Sequence, residues 1–239
     1  MRKHIPNTLT SLNLFSGCIA CVMAFEGLYL WVVVWVIIAA LFDFSDGFAA
    51  RLLKAYSPLG KELDSLADMV SFGVAPSLAA FHFLSENITL ISHNALVMEY
   101  LPYIAFLLAV FSALRLAKFN IDERQTESFI GLNTPANAMF WVSFCYGLTT
   151  NVPVISSNLM YIFIAGIVVF SLLMVSEISM FSLKIKSLRF KGNESRYFLL
   201  IFTVGLIAYM GLFGISGGIL LYIALSILNN RNNRSIAEK

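Results

Sequence analysis

The chain has 239 residues, 59% of them hydrophobic and 13% charged, with a net charge of +2 and a mean hydropathy of +0.80. Soluble domains are about half apolar and about a quarter charged, so this composition excludes a soluble globular protein and leaves no room for a soluble domain beside membrane spans. The three cysteines, Cys18, Cys21 and Cys145, lie in apolar runs with no thiol or histidine cluster, which argues for buried reduced thiols against a metal or redox role.

Taken in chain order, eight apolar segments are long enough, or nearly so, to cross a bilayer as helices of about 20 residues. They are 8–26, 28–50, 63–84, 97–117, 135–151, 158–178, 196–212 and 214–229. The expected fold is an all-α polytopic membrane protein of about eight helices. The first segment lacks a clear cleavage site and reads as a retained span. The last two are short and share "GLFGISGG", which suggests a tight helical hairpin or a re-entrant pair. There, Gly214 and Gly218 are read as turn formers in preference to a small-residue packing stripe. This divides the chain into a six-helix membrane domain, 1–184, and a second part, 185–239, made of a basic loop, the hairpin and a polar tail.

The charges test this layout. With the N-terminus inside, the inner segments are Met1–Asn7, Arg51–Glu62, Lys118–Thr134, Ser179–Ser195 and Asn230–Lys239. These segments and the span ends beside them hold all 16 Lys and Arg. The outer links carry Glu26, Glu86, Glu99 and His93 but no Lys or Arg. The asymmetry puts both termini in the cytoplasm. The basic run "KIKSLRFKGNESR" reads as an anchor to anionic lipid. His4, His82 and His93 are scattered, without an acid or cysteine partner pattern, and read as ordinary interfacial residues.

Four aspartates, Asp43, Asp46, Asp64 and Asp68, stand near the inner ends of the second and third spans. Ionisable groups at such depth are costly and mark function by default. Asp43, Asp46, Gly47 and Ala50 are spaced i, i+3, i+4, i+7 and share one helical face. Pro58 and Gly60 break the pattern, and the next helix is expected from about Lys61. Asp64 and Asp68, at i and i+4, again share a face. If the faces meet, the carboxylates repel unless a cation sits among them. An all-carboxylate set suits Mg²⁺ or Mn²⁺, and two ions would balance four charges. Structural pairing with Arg51, Lys54 or Lys61, or transport of a cation, remain alternatives. Small Gly47 and Ala50 leave space for a flat group, and Arg51 offers a fork for phosphate oxygens. Together these point to a nucleotide diphosphate.

The order Asp43-x2-Asp46-Gly47-x2-Ala50-Arg51-x8-Gly60-x3-Asp64-x3-Asp68 resembles the signature of the CDP-alcohol phosphotransferase family at every defined position. "IPNTLTSLNLFSG", "SLADMVSFGVAPS", "ALRLAKFNI", "FIGLNTPANA" and "LLMVSEISMFSLK" resemble the branch of that family that makes phosphatidylserine from L-serine. The likeness covers about Ile5 to Lys184. It departs at Asn133, where that branch often has proline. The resemblance implies attack by the serine hydroxyl on CDP-diacylglycerol, with CMP leaving. It implies Asp43, Asp46 and Asp64 as metal ligands, and Asp68 as general base and possible fourth ligand. It assigns Gly47, Ala50, Arg51 and Gly60 to CDP-diacylglycerol, with Asn7, Thr10 and Asn13 as further nucleotide contacts. Helix capping and an interhelical hydrogen bond are the alternative for those three. Arg115 is favoured for the serine carboxylate, and Lys118 for lipid phosphate. Asn120, Thr134, Ser176 and Lys184 complete the candidate acceptor site, each alone being as readily a snorkelling or flanking residue. Membrane lipids and a second copy in a homodimer are the other expected partners; nucleic acid is not. The expected location is a prokaryotic cytoplasmic membrane, with the site at its inner face.

Overall fold

The computed structural model describes residues 4–121, 129–180 and 193–237; Lys184 and most of the basic run lie outside them. Helix α1 is His4–Phe25, α2 Tyr29–Leu52 and α3 Pro58–Asp68. A π-helical segment, Met69–Val74, leads without a break into α4, Ala75–Asn87. Next come α5, Ala95–Tyr100, a 3₁₀ turn, Leu101–Phe106, and α6, Leu107–Ile121. After these come helices α7, Thr134–Thr150, and α8, Ser157–Val175, and then α9, Glu194–Met210, and α10, Gly214–Ala237. All eight apolar segments are therefore helical. Among the described residues, six stretches are long and apolar enough to cross a membrane: His4–Phe25, Tyr29–Leu52, Pro58–Leu90, Ala95–Ile121, Ser157–Val175 and Glu194–Asn229. Helix α7, at 17 residues, is shorter and largely buried.

In lipid there is little hydrophobic drive between helices, so close packing of small residues must hold them. The buried stripe of α1 shows this: Pro6, Thr10, Asn13, Gly17, Ala20 and Ala24 recur at helical spacing. Its outer half is small. A Cβ on Gly17 would stand 2.8 Å from the Ser71 Cα, so α1 touches the π-segment backbone to backbone. Its inner half is polar, and that half faces the aspartates. Around α7 the packing is aromatic. Trp141 meets Phe163 edge-on at 5.0 Å, Phe140 stacks on Phe170 at 4.1 Å, and Phe83 of α4 stacks on Phe163 at 4.9 Å.

Three local expectations are corrected. Gly60 does not break the chain. Ser57 caps α3, its hydroxyl accepting from the Gly60 N–H at 3.0 Å, and Pro58 occupies the first turn, where its missing N–H costs nothing. The break lies earlier, at Lys54, which takes a positive φ of 50°. Gly214 and Gly218 do not turn the chain. Gly211 does, at φ +64°, while Gly214 packs on the Leu206–Ile207 backbone and Gly218 on Thr203, seating α10 antiparallel to α9. Cys18 is exposed on the outside of the bundle, and Cys145 alone of the three is fully buried. His82 also gains partners: the Tyr29 hydroxyl lies 3.0 Å from its Nδ1 and donates to Glu86 at 3.1 Å, tying α2 to α4 far from the aspartates.

The α6–α7 link is pinned to the end of α8. Two-residue strands β1, Phe129–Ile130, and β2, Ser179–Met180, pair antiparallel. Gly131 then donates to the Ile178 carbonyl at 2.8 Å and Leu132 to the Leu173 carbonyl at 3.0 Å. Gly131 has φ +75°, and a Cβ there would press on the Met174, Ser176 and Leu173 carbonyls. Any L side chain is strained in that region, and this one has no room.

Gly131→Ala is therefore expected to destabilise the protein by roughly 2 kcal/mol or more, seen as a fall in the thermal unfolding midpoint in detergent. Gly205→Ala, where a Cβ meets nothing in a helix, should be neutral or stabilising by up to about 1 kcal/mol. Equal effects of the two substitutions would refute this account of the link.

Candidate active site

Helices α2 and α3 enter the inner end of the bundle from opposite directions, and their acidic faces meet. Asp43, Asp64 and Asp68 each present a carboxylate oxygen within 4.8 Å of the others. Asp68 is buried, and Asp43 and Asp64 are half-buried. Asp46 turns to a different neighbour. It is buried and accepts from the Thr10 hydroxyl of α1 at 2.5 Å. Asp68 accepts from the Asn13 amide at 3.0 Å, and the Asn13 carbonyl accepts from Ser71 at 3.0 Å. Thr10 and Asn13, one turn apart on α1, thus fix the orientation of one acid from each flanking helix. Both make the interhelical bonds that were the alternative to nucleotide contact.

The π-segment begins directly after Asp68. Pro76 supplies its physical reason. A proline has no N–H for the carbonyl four residues back, here Phe72, and clashes with it in an unbroken α-helix. Widening the turn relieves the clash. It also rotates the residues after Asp68, bringing Ser71 onto α1. Such insertions recur at functional sites.

The residues fit a divalent cation. Three convergent carboxylates from two helices form an all-oxygen donor set for a hard ion. One of their atoms, Asp64 Oδ1, is buried with no hydrogen-bond partner. A buried acceptor left unsatisfied is costly, and a bound cation would satisfy it.

The other sequence candidates divide. A Cβ on Gly47 would meet nothing within 4 Å, so the space beside the α2 backbone is open. Arg51 is exposed, and its Nε donates to the Gly47 carbonyl at 3.0 Å. Gly60 is crowded: a Cβ there would lie 3.0 Å from Asn7 Oδ1 and from Ser57 Oγ. Arg115 is the only buried cation among the described residues. Its Nε donates to the Leu132 carbonyl at 3.1 Å, its guanidinium lies over the Phe119 ring, and its charge is within interaction range of Asp68. Lys118 is turned away, in an ion pair with Glu177 at 2.5 Å. Asn120 braces α6 against α3, donating to Ser65 at 2.8 Å and accepting from Lys61 at 2.9 Å. The Ser176 hydroxyl donates to the Leu173 carbonyl at 2.9 Å. Thr134 is buried beside the Arg115–Leu132 contact in sequence. Asn133 has a structural role: it caps α7, accepting from the Ala136 N–H at 2.9 Å, as proline in its place would not.

Two features of the site escaped sequence reading. The Leu132 carbonyl holds Arg115, and only the strained Gly131 before it hinted at so fixed a backbone. Helix α10 packs against α7 and β2, so the last hairpin reaches the elements around the Arg115–Leu132 contact.

The family model described as CDP-alcohol phosphatidyltransferase matches residues 3–178. The chain is similar to the CDP-diacylglycerol–serine O-phosphatidyltransferase of Helicobacter pylori strain 26695, at 32% identity over 241 residues and 95% of each chain. The protein of the same name from Methanocaldococcus jannaschii is 32% identical over 203 residues, 84% of this chain and 81% of its own. An archaetidylserine synthase of Methanothermobacter thermautotrophicus is 31% identical over 142 residues, 59% of this chain and 57% of its own.

The geometry makes a prediction about binding alone. Purified protein should bind Mn²⁺, read by electron paramagnetic resonance, and Asp64→Asn should weaken it strongly. Asn13→Ala, which only loosens Asp68, should weaken it about 10-fold, as for other residues that orient ligands. Unchanged affinity in Asp64→Asn would remove the carboxylate group as the ion's site.

Proposed function

The chain belongs to the CDP-alcohol phosphatidyltransferase family, and we propose that it acts on L-serine, moving the phosphatidyl group of CDP-diacylglycerol to the serine hydroxyl. The products are phosphatidylserine and CMP. The observation that carries this reading is the one buried cation among the described residues, Arg115, on α6, which Asn120 and Lys61 join to α3, the helix that brings Asp64 and Asp68 to the meeting carboxylates. An acid there is placed to take a proton from a hydroxyl, and the neighbouring guanidinium to hold that acceptor's carboxylate. Acceptors that carry phosphate, such as glycerol phosphate or inositol phosphate, would call for more than one buried cation. Similarity over 95% of a serine enzyme supports the same choice.

The reaction divides among named groups. Asp43, Asp64 and Asp68 would hold Mg²⁺ or Mn²⁺, with Asp46 available to a second ion. A bound divalent ion supplies charge neutralisation on the diphosphate and on the departing CMP. The open space beside Gly47 admits the cytidine diphosphate against the α2 backbone, with Ala50 on the same face. Of the Arg51 nitrogens, only Nε has a hydrogen-bond partner among the described residues, which leaves the terminal nitrogens to meet phosphate. Phe44, Phe48 and Leu66 are exposed on the outer faces of α2 and α3, where acyl chains would lie. Asp68 accepts the serine proton as the oxygen attacks phosphorus, and the bond to CMP breaks with its electron pair on CMP. Arg115 and Asn13 hold Asp68 and the acceptor in line, which is where much of the rate must come from. The inner-face location follows from the same chemistry. Serine and CMP exchange with water while the lipid tails stay in the bilayer, and the Lys and Arg distribution supports a cytoplasmic setting for this end.

Incubation of the detergent-purified protein with CDP-diacylglycerol, Mn²⁺ or Mg²⁺ and a panel of alcohols tests the reading. Serine should give equal amounts of CMP and phosphatidylserine; glycerol phosphate and inositol phosphate should give neither. Cation flux in vesicles without CMP formation would instead make the acids a transport site. An ether-linked lipid in the donor, as the archaeal relative's name suggests, should be tried in parallel.

Within this reading, at saturating Mn²⁺, Asp68→Asn should lower kcat about 10²–10⁴-fold, as for loss of other general bases, while CDP-diacylglycerol binding is largely kept. Asp43→Asn should lose both. If Asp68→Asn loses lipid-nucleotide affinity as badly as Asp43→Asn, its task is ligation and the base lies elsewhere.

A further inference from the structure

Beyond the aspartates, buried polar atoms gather on one seam. Thr134, Asn137 and Trp141 of α7 are spaced i, i+3 and i+7 and share a face. Trp141 packs on Phe163 and Phe170, so this face looks toward α8. Ser171, on α8, shares a face with Met174, three residues further on. Thr134 Oγ1, both amide atoms of Asn137, Trp141 Nε1 and Ser171 Oγ are all buried without a hydrogen-bond partner. Asn137 is fully inaccessible, and Thr134 is 1% exposed. Unsatisfied buried polar groups are rare in proteins, and several in one place ask for a ligand.

The seam borders the reaction site. Ser112 of α6, one turn before Arg115, donates to the Met174 sulfur at 3.6 Å, which puts α6 on the same seam. A Cβ on Gly73 would stand 3.1 Å from the Ser112 Cβ, so the π-segment that begins after Asp68 forms the next wall. Arg115 closes the inner end, held there by the Leu132 carbonyl two residues before Thr134. Helical rise sets Asn137 only about 4.5 Å deeper than Thr134.

We propose that Asn137, with Thr134, binds the acceptor amino acid as a zwitterion and makes the site selective for it. The inference rests on the serine reading and deepens it. With the serine hydroxyl at Asp68, its other two groups must lie within the length of a three-carbon molecule. Arg115 and the Thr134 hydroxyl donate to the carboxylate. Asn137 Oδ1 accepts from the ammonium, and Nδ2 donates to the second carboxylate oxygen. A neutral amide offers an acceptor and a donor side by side on separate atoms. A site built this way rejects analogues lacking either group, because its buried amide is then left unpaired.

Steady-state kinetics of the full-length protein decide the matter, comparing wild type with Asn137→Ala, Asn137→Ser and Thr134→Val. Acceptors are L-serine, ethanolamine, which lacks the carboxylate, and 3-hydroxypropionate, which lacks the ammonium. Asn137→Ala should raise the serine KM roughly 10–100-fold, the range for a hydrogen bond to a charged group, with the CDP-diacylglycerol KM within about twofold. Its preference for L-serine over both analogues should shrink by a similar factor. Asn137→Ser keeps a small polar group and serves if Asn137→Ala does not fold. Serine KM and analogue preference at wild-type values in a folded variant would overturn the proposal, leaving the amide to an internal water. A parallel rise in both KM values would overturn it too, as a packing effect. If wild type makes no CMP from serine at all, the serine reading itself has failed, which is a separate result.

Discussion

Carboxylates crowded at the inner end of a membrane bundle are the constraint on which the rest of the structure depends. Asp43, Asp64 and Asp68 bring oxygens within 4.8 Å of one another. At an effective dielectric constant of about 20, each ionised pair at that distance repels by about 3 kcal/mol. No helix packing in lipid supplies such energy lightly, and the neighbours are arranged accordingly. Asn13 and Thr10 donate to two of the four acids, and Arg115 is the one buried cation among the described residues. Two buried acceptor atoms here, Asp64 Oδ1 and Asn13 Oδ1, have no hydrogen-bond partner among the described residues, and the carboxylate oxygen suits a cation. The cost of holding these charges together is the same property that suits the site to a cation.

Rigidity is the consequence of that constraint. A cluster of like charges drifts apart unless its supports are fixed, and each support is braced. Helix α1 is pressed on the π-segment at Gly17, which fixes the depth of Asn13 and Thr10. The α6–α7 link is fastened by Gly131 and the β1–β2 pair, which fixes the carbonyl that holds Arg115. Asn120 and Lys61 join α6 to α3 on the solvent side. Lys118, expected at the substrate, instead helps this bracing through Glu177.

Much of this was legible in the sequence because charge and hydropathy leave strong marks in a membrane protein. The eight apolar segments, the meeting of the Asp43 and Asp64 faces and the polar start of α1 all follow from spacing and burial cost. The features that stayed hidden are those that depend on a third helix. Spacing alone sets Asp43 and Asp46 on one face; only α1 shows that Asp46 belongs to Thr10 and Asp43 to the α3 acids. Gly60 resembled a breaker because Ser57, which caps the helix ahead of it, is an ordinary residue in a loop. Gly214 and Gly218 resembled turn formers because the turn and the packing face share one glycine-rich run. The π-segment is invisible to a search for a 3.6-residue period, although Pro76 marks it. Arg115 was recognised as important, but its holder is a backbone carbonyl, which carries no residue signature.

The central claim is that the α2 and α3 carboxylates form a divalent-cation centre. Anomalous scattering at the manganese edge, from crystals of the protein grown with Mn²⁺ and a CDP-lipid, tests it most directly. The account predicts a peak bounded by Asp43, Asp64 and Asp68, lost in Asp64→Asn. A peak elsewhere, or well-ordered nucleotide density beside Gly47 with no peak among the three carboxylates, would contradict it.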